Sequence, residues 1–464
     1  MIAGFLITMG TLGDRIGRRR LLLIGAAAFC AASVVAAYAT SAEMLIAART
    51  ALGVAGATLM PSTLALISNM FADSRQRAVA IAVWMSCFMG GTAIGPVVGG
   101  VLLQWFWWGS VFLLGVPIMV LLLVSAPLLL PEYRAPVAGR LDLFSVALSL
   151  ATILPIIYGL KELAKEGIAL GPIAAILAGA LVGMWFARRQ LRLDDPLLDL
   201  RLFANRTIST ALGVMMVGAV AMGGMFLLIS QYLQLVNGLS PLQAGLWLVP
   251  PAIAMITGTM LSSPLAQRIG RGAVIGGGMG VTAVGFALLS QVTVDGTLLL
   301  IVGLMVAMIG LGPGAALVTD IVVGSAPKDR AGSAASMSET SGEFGIAMGV
   351  AMLGSLGTAL YRSGVEVPAG VPAEAAAATR DTLAGAVAAA ESLPADVAER
   401  MLEPARDAFT HGLNVAAGLG VLPMVLFGLL AVVLLRDRPS GGEQGHTGDD
   451  TDAARAAERA PAGT

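Results

Sequence analysis

Apolar stretches long enough to cross a lipid bilayer recur along the whole chain. A membrane-spanning helix needs about 20 mostly apolar residues, because it rises 1.5 Å per residue through a hydrocarbon core of about 30 Å. Only 12% of the 464 residues are charged, whereas soluble domains carry about 25%. The sequence therefore predicts an all-α membrane protein. The twelve predicted spans lie near residues 20–39, 44–68, 77–103, 109–130, 142–160, 168–187, 207–232, 241–263, 273–292, 298–324, 331–360 and 410–435.

The first eleven residues form a shorter apolar run. As a helix they would cover about 16 Å, which is half of the hydrocarbon core. They contain no basic residue of the kind that begins a secretory signal. We therefore expect them to be the inner half of a membrane helix. The outer half of this helix and one preceding helix are expected to be missing from the sequence, because the start site was placed too late or because the gene is truncated.

Basic residues are concentrated in alternate connections between the predicted spans. Cytoplasmic loops of membrane proteins carry an excess of arginine and lysine, so these connections and the C-terminal tail are predicted to be cytoplasmic. The short loops on the other side contain only Lys161 and Lys165, and the longer loop 363–408 is predicted to form short external helices. The basic residues of the first set are Arg15, Arg18, Arg19, Arg20, Arg75, Arg77, Arg134, Arg140, Arg188, Arg189, Arg192, Arg201, Arg206, Arg268, Arg271, Lys328, Arg330, Arg436 and Arg438.

A short segment occurs twice, which indicates an internal repeat. LGDRIGR at 12–18 returns as LAQRIGR at 265–271, each time at the basic end of a predicted span. Transporters are commonly built from such repeats, although a common basic turn is the alternative. Eight predicted spans separate the copies, so two central helices are added to a design of two six-helix bundles. The predicted domains are an N-terminal bundle at 1–130, central helices and loops at 131–205, a C-terminal bundle at 206–436 and a disordered tail at 437–464.

Four motifs carry a resemblance to the major facilitator superfamily that covers nearly the whole chain. GTLGDRIGRRR at 10–20 resembles its loop between helices 2 and 3, and GTAIGPVVGG at 91–100 resembles the helix 5 motif of its antiporters. SETSGEFG at 338–345 looks like helix 13 of its fourteen-helix drug:proton antiporters. Arg49 resembles the helix 4 motif, although Leu52 stands where the family often has glutamine. The resemblance implies two pseudo-symmetric bundles in the cytoplasmic membrane and proton-coupled efflux of hydrophobic, cationic drugs or antiseptics.

Two glutamates lie inside a predicted membrane span. In the helix that begins at 331, Glu339 would lie about 12 Å and Glu343 about 18 Å from the helix start. They are four residues apart and therefore share one face. Charged side chains at this depth are costly and usually functional, so this pair is predicted to exchange protons for a cation. A structural hydrogen-bond network is the alternative.

Two further charged residues are candidates for the same site. Asp320 lies near the cytoplasmic end of its predicted span, where it either assists the glutamates or meets the membrane interface. Arg49 lies inside the outer part of its span. The resemblance implies that it couples to protonation, and a structural ion pair with an acid on the missing first helix is the alternative.

The remaining motifs are predicted to control conformation. The resemblance implies that the loop motif clamps the cytoplasmic side shut, with Asp14 facing the helix start near Arg330; topology anchoring by its basic residues is the alternative. In the helix 5 motif, glycines permit close helix packing and proline bends the helix, which suits a hinge or ordinary packing of small residues. The clamp residues are Gly10, Gly13, Asp14, Arg15, Gly17 and Arg18, and the hinge residues are Gly91, Gly95, Pro96, Gly99 and Gly100.

No metal, cofactor or enzymatic activity is expected. Cys30 and Cys87 lie in apolar runs, and His411 and His446 lie near or beyond the last span, so neither a disulfide nor a metal site is predicted. The sequence has no glycine-rich phosphate loop followed by lysine. The predicted partners are a small lipophilic cation, protons and the lipid bilayer, without nucleic acid, and the chain is predicted to be a monomer. Two other interpretations stay open, namely a dedicated exporter of a self-made antibiotic or metabolite and a remnant that does not transport.

Overall fold

The computed structural model describes residues 2–71, 73–132, 142–166, 169–193, 196–325 and 331–435. This part of the chain is helical almost throughout. Its helices are α1 (Ile2–Ile16), α2 (Arg18–Ala37), α3 (Ala42–Met70), α4 (Ser74–Trp105), α5 (Ser110–Leu113), α6 (Gly115–Leu129), α7 (Leu143–Glu166), α8 (Leu170–Arg192), α9 (Arg206–Gln231), α10 (Pro241–Trp247), α11 (Val249–Ile269), α12 (Arg271–Leu289), α13 (Thr297–Ser325), α14 (Ala331–Gly364), α15 (Ala373–Asp381), α16 (Leu383–Ala390) and α17 (Ala395–Leu434).

The helices agree closely with the predicted spans. Eleven stretches of the described chain are long and apolar enough to cross a membrane, and the bent helix α4 makes a twelfth. The helix that contains the last predicted span begins before that span, since α17 starts at Ala395. Pro404 lies inside this helix, and the side chains of Met401 and Phe409 on either side of it are buried.

The described chain forms two groups of packed helices. In the first, α2 lies against α1, α3 and α6. In the second, α9 is central and contacts α13, α14 and α17, while α12 lies between α13 and α17. The largest fully buried side chains of the second group include Tyr232, Phe286 and Met279, so its core is formed by large apolar residues.

The groups meet along two lines of contact. On one side α1 packs against α14, and on the other α4 packs against α10 and α11. Helix α7 contacts both α1 and α14 and so lies along the first line. We refer to these contacts as the α1–α14 seam and the α4–α10 seam.

The central helices α7 and α8 form a tight hairpin. A Cβ atom at Gly159 would lie 2.6 Å from the carbonyl oxygen of Pro172, so only glycine allows this approach. At the other end of the pair, both terminal nitrogens of the Arg189 guanidinium group donate to the carboxylate of Asp142, at 2.7 and 3.1 Å. Ser145 donates to the same carboxylate at 2.6 Å. The hairpin is therefore fixed at both ends.

Both copies of the repeated segment have the same local structure. Gly17 separates α1 from α2 with φ of 111°, and Gly270 separates α11 from α12 with φ of 87°. With ψ of 132° and 150° respectively, these conformations are essentially restricted to glycine. The repeat thus places the same glycine-dependent break at the same end of both groups, which we call the basic end.

The opposite end carries a helical cap on the second group. We define the cap as residues 373–409, which comprise α15, α16 and the beginning of α17. Because α17 has 40 residues, it is about 60 Å long, twice the thickness of the hydrocarbon core. Its first turns therefore extend beyond the bilayer, and the prediction of short helices within 363–408 is confirmed.

Candidate functional site

Glu339 and Glu343 both lie on α14, which begins at Ala331 at the basic end. The helical rise places them about 12 and 18 Å along the helix, and both side chains are half-buried. Neither takes part in an ion pair within the described chain. Two carboxylates on one face of a membrane-spanning helix are chemically suited to bind a positively charged ligand.

A glycine-rich contact with α9 fixes the position of this pair. A Cβ atom at Gly345 would lie 2.6 Å from the Cβ of Ala219, and one at Gly223 would lie 2.5 Å from the carbonyl oxygen of Ile346. The helix backbones can approach this closely because the residues at the contact are small. The four-residue spacing of Gly345 and Gly349 is a signal for this contact that the sequence analysis missed.

The two glutamates lie on one side of this contact. With 3.6 residues per turn, Glu339 lies about 60° and Glu343 about 100° around the helix from Gly342, whose Cα faces Met215 of α9. On that side of α14, Ile346 is 38% exposed. The carboxylates therefore lie beside the α9 contact, on a face that the other described helices do not cover completely.

Polar atoms near the pair have unused hydrogen-bonding capacity. Ser338 is completely buried, and its hydroxyl has no hydrogen-bond partner within the described residues. The same is true of the hydroxyls of Thr340 on α14 and Thr8 on α1. A buried hydroxyl without a partner costs about 1–3 kcal/mol. These groups can supply further hydrogen bonds to a ligand or proton carrier close to the α1–α14 seam.

The structure does not join the two other charged candidates to the glutamates. Asp320 is exposed near the end of α13, and no hydrogen bond or ion pair connects it with either glutamate in the described chain. Arg49 is also exposed, and its guanidinium carbon lies 6.0 Å from the ring centroid of Phe112, within the range of a cation–π contact. The acidic partner considered for Arg49 does not occur among the described residues.

The loop motif is fastened to the end of α6. Glu132 accepts a hydrogen bond from the backbone N–H of Arg19 at 3.1 Å, and the Nε atoms of Arg19 and Arg20 each lie 3.8 Å from its other oxygen. The side chain of Arg19 also donates to the carbonyl of Leu130 at 2.8 Å. Sequence reasoning missed Glu132, which lies 113 residues away from Arg19 along the chain.

The predicted partners of the clamp fall outside the described residues. Neither the side chain of Asp14 nor Arg330, which marks its predicted contact, is among the described parts of the chain. Within the described part, α1 leads directly into the motif and packs against α14. The loop motif is therefore connected to the glutamate-bearing helix through the α1–α14 seam, and the clamp itself stays a prediction.

The helix 5 motif lies at the other seam. Helix α4 bends by 41° between its stretches 86–92 and 94–105, as expected because the ring of Pro96 clashes with the carbonyl of residue 92. A Cβ at Gly100 would lie 2.6 Å from the Cα of Leu242, and one at Gly245 would lie 2.5 Å from the carbonyl oxygen of Pro96. The motif thus forms a backbone-to-backbone contact between the groups.

Three of the predicted hinge glycines make no such contact. A Cβ atom at Gly91, Gly95 or Gly99 would have no neighbour within 4 Å in the described chain. Close packing across the α4–α10 seam therefore depends on Gly100 and on Gly245, which the sequence analysis did not single out. Four-residue spacing shows that small residues share a helix face, but it does not show which of them meets another backbone.

Comparison with known proteins identifies the family. The model of the Major Facilitator Superfamily matches residues 1–350. The multidrug efflux pump LfrA of Mycolicibacterium smegmatis is 42% identical over 93% of this chain and 86% of its own length. The methyl viologen resistance protein SmvA of Salmonella typhimurium is 34% identical over 90% of this chain and 84% of its own. The chain therefore belongs to the major facilitator superfamily.

A solved structure agrees with the architecture. A crystal structure of the peptide transporter POT in complex with sulfate aligns with a TM-score of 0.57, covering 94% of this chain and 86% of that one. The sequence identity is 13%, so this likeness concerns the fold alone. Together with the helix count, it establishes a multi-pass membrane protein with the major facilitator fold.

Proposed function

We propose that this protein exports small lipophilic cations from the cytoplasm in exchange for protons, with Glu343 and Glu339 holding either the cation or the protons. The observation that carries the proposal is the placement of two carboxylates on one face of α14, about 12 and 18 Å from its start, without an ion-pair partner in the described chain.

The contacts between the two helix groups allow a rocking motion that would open the site to each side of the membrane in turn. Rigid helix groups that meet along two narrow seams can rock about a site between them. The α4–α10 seam has backbone contacts at Gly100 and Gly245, and α14 itself takes part in the α1–α14 seam. Rocking therefore moves the glutamate-bearing helix against α1 and exposes the carboxylates to each side in turn.

The relatives support a drug as the cargo. LfrA is named for multidrug efflux and SmvA for resistance to methyl viologen, which is an aromatic dication. We extend this substrate class to the present chain because a carboxylate pair suits a positive charge. By the positive-inside rule the basic end is cytoplasmic, so the cap and the release side face outward.

The proposal is tested by efflux of ethidium from membrane vesicles under an imposed pH gradient. Glu343→Gln keeps the size of the side chain but removes its charge, and we expect it to abolish pH-driven ethidium efflux, with Glu339→Gln reducing it. The matched control is Glu391→Gln, since Glu391 is exposed on the cap and should tolerate the same change. Ethidium efflux by Glu343→Gln at the wild-type rate and equal protein abundance would refute the proposal.

The substrate range distinguishes the cation exporter from an exporter of uncharged metabolites. An uncharged substrate does not need the charge of Glu343 for binding, so Glu343→Gln should lose ethidium binding and retain binding of any neutral compound that the wild type carries. If wild-type vesicles move neutral compounds and fail to move ethidium, a dedicated metabolite exporter is the better assignment.

A further inference from the structure

A cavity lies beneath the cap, far from the carboxylate pair. Its volume is about 140 Å³. Thr358, on its wall, is 15 residues beyond Glu343 on α14, which corresponds to about 22 Å along the helix. The cavity is bounded by α9, α14, α16 and α17, all of the second helix group and its cap, and it is partly open to the outside. Residues from each element line it, among them Leu228, Gln231, Thr358, Tyr361, Leu383 and Phe409.

Specific contacts fix the walls of this cavity. The hydroxyl of Tyr361, which is 2% exposed, donates to the carbonyl of Thr379 at 2.7 Å. Arg362 forms an ion pair with Asp381 at the end of α15. Thr382 accepts a hydrogen bond from the backbone N–H of Gly385 at 3.0 Å and so caps α16. The cap is therefore attached to α14 by defined bonds, and the space beneath it is preformed.

The lining is apolar with one available amide. Leu228, Leu383 and the ring of Phe409 supply apolar surface. Thr358 uses its hydroxyl to bond the carbonyl of Gly354 at 2.9 Å. The carboxamide of Gln231, an exposed residue at the open side, makes no hydrogen bond within the described chain. No charged residue lines the cavity, so its chemistry differs from that of the glutamate pair and favours a neutral ligand.

We propose that this cavity is a second small-molecule site, which binds a neutral, single-ring aromatic compound that carries a hydrogen-bonding group. An apolar protein cavity of about 150 Å³ holds one benzene molecule, so the volume of this cavity fits one aromatic ring. The ring packs among the leucines and Phe409, and its polar substituent bonds Gln231. This site is independent of proton exchange and of the proposed cation site.

The probe for this site is 4-fluorophenol, observed by fluorine NMR with the full chain in lipid nanodiscs and with empty nanodiscs as the reference for partition into lipid. Ala384 and Ala388 are both exposed residues of α16, but Ala384 lines the cavity, whereas Ala388 lies one turn further along the helix and does not. We expect Ala384→Phe to fill the space and weaken 4-fluorophenol binding at least about tenfold. The matched control, Ala388→Phe, should bind like the wild type.

The role of Gln231 is tested separately. Gln231→Leu removes one neutral hydrogen bond and should weaken 4-fluorophenol binding about three- to tenfold while leaving fluorobenzene binding unchanged. Equal binding of 4-fluorophenol by Ala384→Phe and Ala388→Phe would overturn the proposal, as would wild-type binding no stronger than empty nanodiscs. Glu343→Gln should retain 4-fluorophenol binding even where it loses ethidium efflux, so the two proposals can fail independently.

Discussion

The contact between α9 and α14 is tested most sharply by Gly345→Ala. The added Cβ would lie 2.6 Å from the Cβ of Ala219, and ordinary contact begins at 3.4 Å, so the two helices must separate by about 0.8 Å there. Overpacking of this kind costs about 1–3 kcal/mol, whereas replacing a helical glycine by alanine otherwise gains about 0.5–1 kcal/mol. We therefore expect a net loss of about 1–2 kcal/mol in the free energy of unfolding.

The matched control is Gly277→Ala on α12, where an added Cβ has no neighbour within 4 Å in the described chain. This variant should be as stable as the wild type or slightly more stable. Stability is measured by titration with denaturing detergent in mixed micelles, and function by ethidium efflux. Because Glu343 lies two residues before Gly345, the Gly345→Ala variant should also lose efflux severalfold at equal abundance. A Gly345→Ala protein as stable and active as Gly277→Ala would refute the close helix contact.

Three further predictions concern the contacts that position the helices. Glu132→Gln removes the charge that holds Arg19 and should lower the free energy of unfolding by about 1 kcal/mol, measured by the same titration. Arg189→Lys loses the bidentate ion pair with Asp142 and should lower the free energy of unfolding by about 1–2 kcal/mol. An unchanged free energy of unfolding would contradict this prediction. Pro96→Ala should straighten α4 and slow efflux, and spin labels on the two sides of the bend should then lie farther apart. Unchanged distances between the labels would show that Pro96 does not cause the bend.

The sequence predicted the membrane helices well because their signal is local. About 20 consecutive apolar residues form a helix in lipid whatever surrounds them. The break at Gly17 and its copy at Gly270 were also visible, because the segment around each glycine is repeated. The beginning of α17 was missed, since Pro404 resembles a helix end in a sequence, although α17 continues through it.

The candidate site was only partly predictable. Depth and shared face of Glu339 and Glu343 follow from helix geometry alone. Contacts between residues far apart in the chain do not. The bond between Arg19 and Glu132 is of this kind, and so is the approach of Gly245 to the backbone of α4. Such contacts depend on how helices pack against one another, which a single sequence does not specify.

The central claim is that the same carboxylates hold either protons or a lipophilic cation, and proton release on binding tests it directly. Tetraphenylphosphonium is added to the purified protein in weakly buffered detergent solution, and a pH indicator records the protons released. The account predicts release in fixed proportion to the cation bound, weaker cation binding at lower pH, and no release from the double variant of Glu339→Gln and Glu343→Gln. Tight cation binding without proton release by the wild type, or equal release by the double variant, would contradict it.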